Sequence, residues 1–381
     1  MQKKIIALAV AGLISGGAFA QSNVTVYGLL DTGVASYSGT YSHAGVYKVG
    51  TATQKTFNGI QGGNSSSNRL GFRGEEALGN GLSATFNIET NLSSDGGAAA
   101  GTAGTTGLDT GGARMMTVGL KNKNWGEVKF GRQYTPFFDT VAAVDPFGAT
   151  GIASAVIIHP AGMEGIARSS SSAKYNGQFG AFSVGFLYGF GEDNSTAAGG
   201  NTSIWSANLI YANGPFVAGL AHINVQDPAN INAALAADDD RLSSTVLGGM
   251  YDFGMVKLHA AYNTFKSSGT TLAAAQVDHG DWHLGLSIPR GAHTFKVVYN
   301  KANDKSARNL DANHWGLGYQ YDLSKRTAFY GTYAKVNNNN GAGYSINRPN
   351  GAGVQGGTNV APAGANGTYT SGIVVGLKHS F

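Results

Sequence analysis

The chain has 381 residues, 58 of them glycine and none cysteine, with 26 Lys and Arg against 22 Asp and Glu for a formal net charge of +4. So small a charge, with no basic run longer than Lys325-Arg326, excludes a nucleic-acid binder, which concentrates Lys and Arg on one face. The absence of cysteine excludes a small disulfide-stapled domain, and glycine at this frequency without a collagen period suits strands, tight turns and open loops.

At the start, Lys3 and Lys4 precede the apolar run Ile5 to Ile14, which ends in Ala18-Phe19-Ala20 before Gln21. This pattern predicts a secretory signal peptide over residues 1–20, too short to anchor the chain, and a mature protein over 21–381. Without the two lysines, 24 basic residues face 22 acidic ones, a charge of +2. No later apolar run reaches the roughly eighteen residues of a membrane helix. A closed β-barrel remains open to an exported chain, because its apolar residues occupy alternate positions.

In chain order, VTVYGLLDTGVASYS (24–38) predicts a strand, and a Gly/Ser/Thr-rich loop is expected to Ser67. RLGFRGEEALGNGLSATFNIETNL predicts two strands about a turn at Leu78 to Gly81, with Leu70 and Phe72 outward and Arg69, Arg73 and Glu75 on the wet face. After a solvated stretch from Ser93 to Gly112 come RMMTVGLKN and EVKFGRQ. Beyond residue 168, RSSSSAKYN pairs with AFSVGFLYGF, where Phe182, Val184, Phe186, Tyr188 and Phe190 alternate with small residues as a lipid-facing row. Four further hairpins follow, turning at Gly214-Pro215, Gly254, Arg290-Gly291 and Ser324, and TYTSGIVVGLKHSF closes the chain. The expected fold is all-β, an antiparallel transmembrane barrel of about sixteen strands, each of the length a tilted membrane strand needs.

Short turns alternate with long connectors, among them Glu192 to Asn201, Asp227 to Asp240 and Val336 to Gly367. Segregating short turns to one rim and long loops to the other is an outer-membrane barrel pattern that a soluble sandwich has no reason to adopt. One closed sheet needs the whole mature chain, so a single domain is expected. Aromatic residues near strand ends, from Tyr27 and Tyr188 through Trp205, Tyr211, Tyr251, Trp282, Trp315, Tyr319 and Tyr321 to Tyr369, suit membrane interfaces as a set.

Residues 132 to 168 break the rhythm. They carry Phe137, Phe138, Phe147, Val156, Ile157 and Ile158 with Pro136, Pro146 and Pro160, too apolar for a solvated loop and of a length that is usually functional. The expectation is that this loop folds inward and narrows a pore.

VTVYGLLDTGV, NRLGFRGEEALGNGLSATFNIE, RMMTVGLKNKNWGEVKFGRQYTPFFD, RSSSSAKYN and the closing GIVVGLKHSF together resemble the trimeric general porins of Gram-negative outer membranes, nearest their β-proteobacterial branch. The resemblance implies a homotrimer in outer-membrane lipid and lipopolysaccharide, with the third extracellular loop, here 133–167, folded into the lumen. It also implies that Phe381 is the terminal aromatic read by the barrel assembly machinery. Ser171 stands where that family usually has Asn within R-x-x-N-S-x-x-[RK]-Y, while Arg168, Lys174 and Tyr175 match.

A diffusion pore selects by width and by the field of charges at its constriction. Arg69, Arg73, Arg114, Arg132 and Arg168 lie around the loop, and Asp139, Asp145 and Glu164 lie on it. The resemblance makes Arg69, Arg114 and Arg168 the basic wall, with Arg73, Arg132 and Lys174 beside them; the alternative is that each Arg merely pairs with a neighbouring Glu. Met116, Val118 and Leu120 share the phase of Arg114, so a bulge is needed to turn it inward. The surplus of basic residues points to a weak anion preference.

His259 and His283 are expected to fill the lumen rather than bind a metal, and Asp238-Asp239-Asp240 to be a solvated run, with a divalent cation as the alternative. Neither a catalytic motif nor a nucleotide loop is present, so no enzyme activity, cofactor or metal is expected. The function expected is passive diffusion of ions and small hydrophilic solutes; the alternatives are a solute-specific channel and a barrel whose loops serve adhesion.

Overall fold

The computed structural model describes residues 23–41, 53–92, 94, 108–159, 164–191, 203–226, 241–268, 278–307, 309–339, 342–346 and 368–381. Residues 1–20, the long connectors 192–202 and 227–240, including Asp238-Asp239-Asp240, and most of the last connector lie outside them.

Seventeen strands form one antiparallel sheet. They are β1 (Asn23–Tyr41), β2 (Thr53–Gly62), β3 (Arg69–Gly79), β4 (Leu82–Leu92), β5 (Leu108–Asn122), β6 (Gly126–Tyr134), β7 (Arg168–Phe179), β8 (Phe182–Gly189) and β9 (Ser203–Asn213). Then come β10 (Phe216–Gln226), β11 (Arg241–Asp252), β12 (Lys257–Ser268), β13 (Asp278–Arg290), β14 (His293–Ala302), β15 (Ala312–Asp322), β16 (Thr327–Asn338) and β17 (Thr368–Ser380). Pairing of β1 with β17, from Leu29 opposite Ser380 to Thr40 opposite Thr368, closes the sheet into a barrel.

Both β2 and β3 pair with β1, β2 along Thr32 to Tyr41 and β3 along Asn23 to Leu29. They are one interrupted stave, and the barrel therefore has sixteen. The stretch expected to be loop as far as Ser67 thus contains a strand. Its polar sequence TQKTFNGIQG hides it, because half a stave facing a wet lumen and half a partly polar outer surface shows little apolar alternation.

Residues 63–68 interrupt that stave around buried Asp31 of β1. Ser65 and Ser66 donate their backbone N–H groups to Asp31 Oδ2, both at 2.7 Å, Gly63 N donates to the Asp31 carbonyl at 2.8 Å, and Tyr330 Oη donates to the carboxylate.

Alternation along the staves matches the expected facing. Phe182, Phe186, Tyr188 and Phe190 are exposed on the outer wall, whereas Leu187 between them is buried. Two aromatics expected at the membrane boundary lie elsewhere: Tyr27 Oη donates to Glu89 at 2.9 Å, and Tyr369 is buried against Tyr37. The Asn-rich stretch expected to be loop from Val336 begins inside β16, where Asn338 Nδ2 donates to the Tyr344 carbonyl at 2.8 Å.

Ser171 is a strained point. The β6–β7 register slips between Gly131–Ser172 and Gln133–Ser169, and Ser171 at the slip takes φ 45°. Asn adopts this left-handed region far more readily than Ser, which accounts for the Asn expected at this place. Ser171→Asn is expected to stabilise the barrel by roughly 0.5–1 kcal/mol, read as a higher midpoint in urea unfolding.

Candidate functional site

The segment between β6 and β7 holds a helix α1 (Pro136–Val144), a 3-10 turn (Ala155–Ile158) and a one-turn helix α2 (Glu164–Ala167). Helix α1 starts where Thr135 caps it, Oγ1 accepting from Phe138 N at 3.2 Å, with Pro136 preset for the first turn. Its apolar side, Phe137, Phe138, Val141 and Val144, is buried against the inner wall of β8 to β12. That burial supplies most of the docking energy, since a fully buried large apolar side chain contributes about 1.5–3 kcal/mol.

Inward-pointing polar side chains pin the rest of the loop. Asn208 Nδ2 donates to the Pro136 carbonyl at 3.0 Å, His259 Nδ1 to Val144 at 3.0 Å, Lys296 Nζ to Pro146 at 2.7 Å and His314 Nε2 to Ile152 at 3.0 Å. Thr150 Oγ1 donates to the Ser65 carbonyl at 2.8 Å, tying the loop to the 63–68 insert. His259 is thus a loop anchor, and His283 contacts Asn300 and lies 4.0 Å from Asp145. Among the described residues no group of three His, Cys, Asp or Glu could hold a metal ion.

Glycines make the seat. A Cβ at Gly285 would lie 2.5 Å from Pro146, at Gly316 2.5 Å from Ala153, at Gly318 2.8 Å from Phe147 and at Gly219 2.7 Å from Thr140. All four point inward, between outward Leu220, Leu284, Leu286, Trp315 and Leu317.

Between the loop and the facing wall lies a cavity of about 490 Å³, lined by Ser65, Ser66 and Ser67 of the insert, loop residues from Phe138 to Thr150, and Arg69, Arg114, Arg168, Lys296 and Lys378. Arg114 enters it through a bulge: Glu89 pairs with Met115 and Thr90 with Ala113, leaving Arg114 between them. The bulge turns Arg114 out of phase with Met116 and Val118 on the outer wall. Its Nε donates to Glu89 Oε1 at 2.5 Å and its Nη1 to Asn91 Oδ1 at 3.1 Å, with both members of the ion pair buried. Tyr134 joins the two arginines, its Oη accepting from Arg114 Nη2 and from Arg168 Nη2 at 2.8 Å, while the Arg168 guanidinium lies 4.4 Å over the Tyr134 ring. Arg69, Arg114 and Arg168 therefore share one site.

The remaining expected site residues are placed differently. Arg73 lies nearer the short-turn rim, in a second cavity with Glu75, Lys121, Glu127 and Lys129. Arg132 stands opposite outward Met116 and donates to the Ala113 carbonyl at 2.6 Å and to Ser170 Oγ at 2.8 Å, so it belongs to the outer wall. Lys174 is held by Asp139 at 2.6 Å. Asp145 accepts backbone N–H groups of Phe147, Ala149 and Ala155 at 2.9, 3.1 and 3.0 Å, which folds the loop on itself. Glu164 opens α2, and its side chain lies outside the described residues. The Phe381 backbone exchanges hydrogen bonds of 3.1 Å with Gly28, the ring lying where a Gly28 Cβ would be.

Lys296, Lys378, Glu89 and Tyr134 are site residues that motif reading missed. Alternation carries the signal for the lysines: outward Phe295 and Val297 flank Lys296, and outward Leu377 precedes Lys378. Counting Lys174, six cations face Asp31, Glu89, Asp139 and Asp145, an excess of two positive charges.

A model of the Gram-negative porin family matches residues 7–342. Outer membrane porin protein 32 of Delftia acidovorans is 31% identical over the full length of both chains. The chain belongs to the Gram-negative porin family. Major outer membrane protein P.IB of Neisseria meningitidis serogroup B is 28% identical, covering 86% of this porin and 91% of that protein. Among solved structures, the anion-selective porin from Comamonas acidovorans superposes with a TM-score of 0.74 at 28% identity, over 94% of this porin and all of that chain.

One loop residue is expected to make the docking of this loop on the inner wall sensitive to acid. His159 is fully enclosed between Phe137 and Phe265, neither ring nitrogen has a hydrogen-bond partner among the described residues, and burial pushes its pKa down to about 3. A group depressed in the docked state favours undocking as protons are added. Docking is therefore at full strength above the ordinary His value of about 6.5 and weakens progressively towards about 3. In planar bilayers, acid-induced current fluctuations are expected over this window and should be absent in His159→Leu; identical pH profiles would rule His159 out.

Proposed function

We propose that this porin is a passive channel for ions and small hydrophilic solutes with a weak preference for anions. The observation that carries it is the state of the carboxylates at the constriction: Asp139 is held by Lys174, Asp145 by three backbone N–H groups and Glu89 by Arg114, whereas Arg69, Lys296 and Lys378 line the opening. A cationic surplus between low-dielectric walls raises the local concentration of anions. The structural similarity to an anion-selective porin supports the same reading. A reversal potential under a KCl gradient tests it, with chloride expected to be the more permeant ion; a potassium-selective sign would overturn the preference.

The assembly we propose is a homotrimer, the form in which a structural neighbour from Vibrio cholerae is described. Its support on this chain is the outer face of β17, β1 and β2. There Ser36 Oγ donates to Asn58 at 2.7 Å and Ser38 lies 2.9 Å from Ser371. Hydroxyls and amides suit a face covered by another copy better than one bathed in lipid. Val34, exposed beside them, makes the test: Val34→Arg is expected to convert trimers to monomers on native gels, and trimers that persist would place the contact elsewhere. Phe381, locked to β1, is the proposed recognition signal for the assembly machinery, and the leader 1–20 is proposed to be removed on export.

A further inference from the structure

The last connector re-enters the barrel. After β16 ends at Asn338, residues 342–346 read Ala-Gly-Tyr-Ser-Ile, and within them Tyr344 and Ile346 are wholly buried, both at 0% exposure. A connector that runs over the surface has no reason to bury its largest side chains. Gly372 of β17 shows on which side of the sheet they lie. It alternates with outward Ile373, and a Cβ added to it would lie 3.0 Å from Ile346 Cδ1, so Ile346 sits inside the wall.

Hydrogen bonds turn the segment into a strap across the long-connector mouth. Asn338 Oδ1 accepts from Tyr344 N at 3.1 Å, and Ile346 N donates to the Tyr369 carbonyl at 2.8 Å. Ser345 Oγ accepts from Tyr369 N at 3.2 Å and donates to the Tyr369 carbonyl at 3.1 Å. Between these fixed ends the Tyr344 hydroxyl reaches to 3.5 Å from His279 Nδ1 on β13, three staves from the root of the strap on β16. His279 is itself held, with Asp281 Oδ1 at 3.3 Å and Asp304 of the β14–β15 connector at 3.9 Å.

Ordering such a segment costs conformational entropy that a solvated connector would keep. Two fully buried large side chains and the paired backbone groups offset that cost. The strap also touches function, because Tyr344 and Ile346 belong to one buried apolar cluster with Ile152, Ile157 and Ile158 of the loop between β6 and β7. The helical end of that loop is held by the inner wall of β8 to β12, whereas its 3-10 end packs on β14 and β15 and shares its apolar cover with the strap. Solutes are left the polar side, where Arg69, Arg168, Lys296 and Lys378 line the cavity.

We propose that residues 342–346 are a second specificity-determining element of the channel. Tyr344 keys the strap into the mouth, the strap braces the 3-10 end of the loop, and the two together set the largest solute that passes. The inference rests on the channel reading and not on the ion preference.

Liposome swelling with neutral sugars, from a pentose to a trisaccharide, tests it, since uncharged solutes read width and not field. Tyr344→Ala with Ile346→Ala is expected to raise trisaccharide entry severalfold relative to the pentose. Tyr344→Phe keeps the ring and should keep the wild-type ratio. Both variants should retain the sign of the wild-type reversal potential, because the segment carries no charged side chain. An unchanged sugar ratio in the double alanine variant overturns the proposal. Pentose entry through the wild type checks the channel reading by itself, so the two failures are told apart.

A second measurement covers a double variant that does not fold. The chain has no cysteine, so Ser345→Cys places a single near-isosteric thiol on the strap, at a position 3% exposed. In the folded porin this thiol should resist a bulky maleimide, react once the chain is unfolded in urea, and become reactive in the folded state when Tyr344→Ala is added. Ready labelling of folded Ser345→Cys would put the strap outside the lumen and overturn the proposal.

Discussion

Replacing Arg69 and Arg168 together by glutamate is expected to turn the channel from anion-preferring to cation-preferring. Both guanidinium groups line the cavity beside the loop, and the exchange removes two positive charges and adds two negative ones. A unit charge acts with about 1 kcal/mol at 4 Å in water, and screening over about 8 Å at physiological salt trims the sum. A net change of ~1.4 kcal/mol in the relative barriers, tenfold in the permeability ratio, is a conservative expectation. The starting surplus of two positive charges becomes a deficit of two, so the sign of the reversal potential should invert. Arg132→Glu is the control: Arg132 stands with Met116 on the outer wall and should leave the reversal potential where it was. An inverted potential in the control, or none in the double variant, would refute the assignment.

Widening the pore should need only two added side chains. Gly285→Val with Gly316→Val puts branched carbon where Pro146 and Ala153 now lie, 2.5 Å from the first added atom in each case. Overpacking costs about 1–3 kcal/mol per site, and here the yielding element is the loop, because the strands are locked by ladders on both sides. The loop is expected to lift from β13 and β15, raising single-channel conductance and admitting larger neutral sugars in liposome swelling. The outward substitutions Leu286→Val and Leu317→Val, one residue along on the same strands, should change neither. Unaltered conductance in the glycine variants would mean that the loop does not set the width.

The positions of the arginines show how far sequence alone reaches. Arg69 and Arg168 were legible because they keep strict phase with outward neighbours or match a family pattern. Arg114 was ambiguous, since its inward direction depends on a bulge against Glu89 and Thr90, and a bulge is a property of the pairing of two strands. Arg132 was misplaced for the same reason, its phase being set by the slip opposite Ser170 and Ser171. Asp139 and Asp145 were expected to face the arginine wall; which groups hold them, Lys174 for the one and the backbone of the loop for the other, was not legible.

By itself the sequence determined the class of this protein: export, staves of membrane length, outward alternation, and a loop too apolar for solvent between Arg132 and Arg168. Those follow from local chemistry, since alternation and turn residues act within a few positions of the chain. Only the tertiary structure decided the interrupted stave about Asp31, the glycine seat of the loop, and the lysines Lys296 and Lys378 at the opening. Each of these joins residues on different staves, and register, which no single strand encodes, decides which side chains stand together.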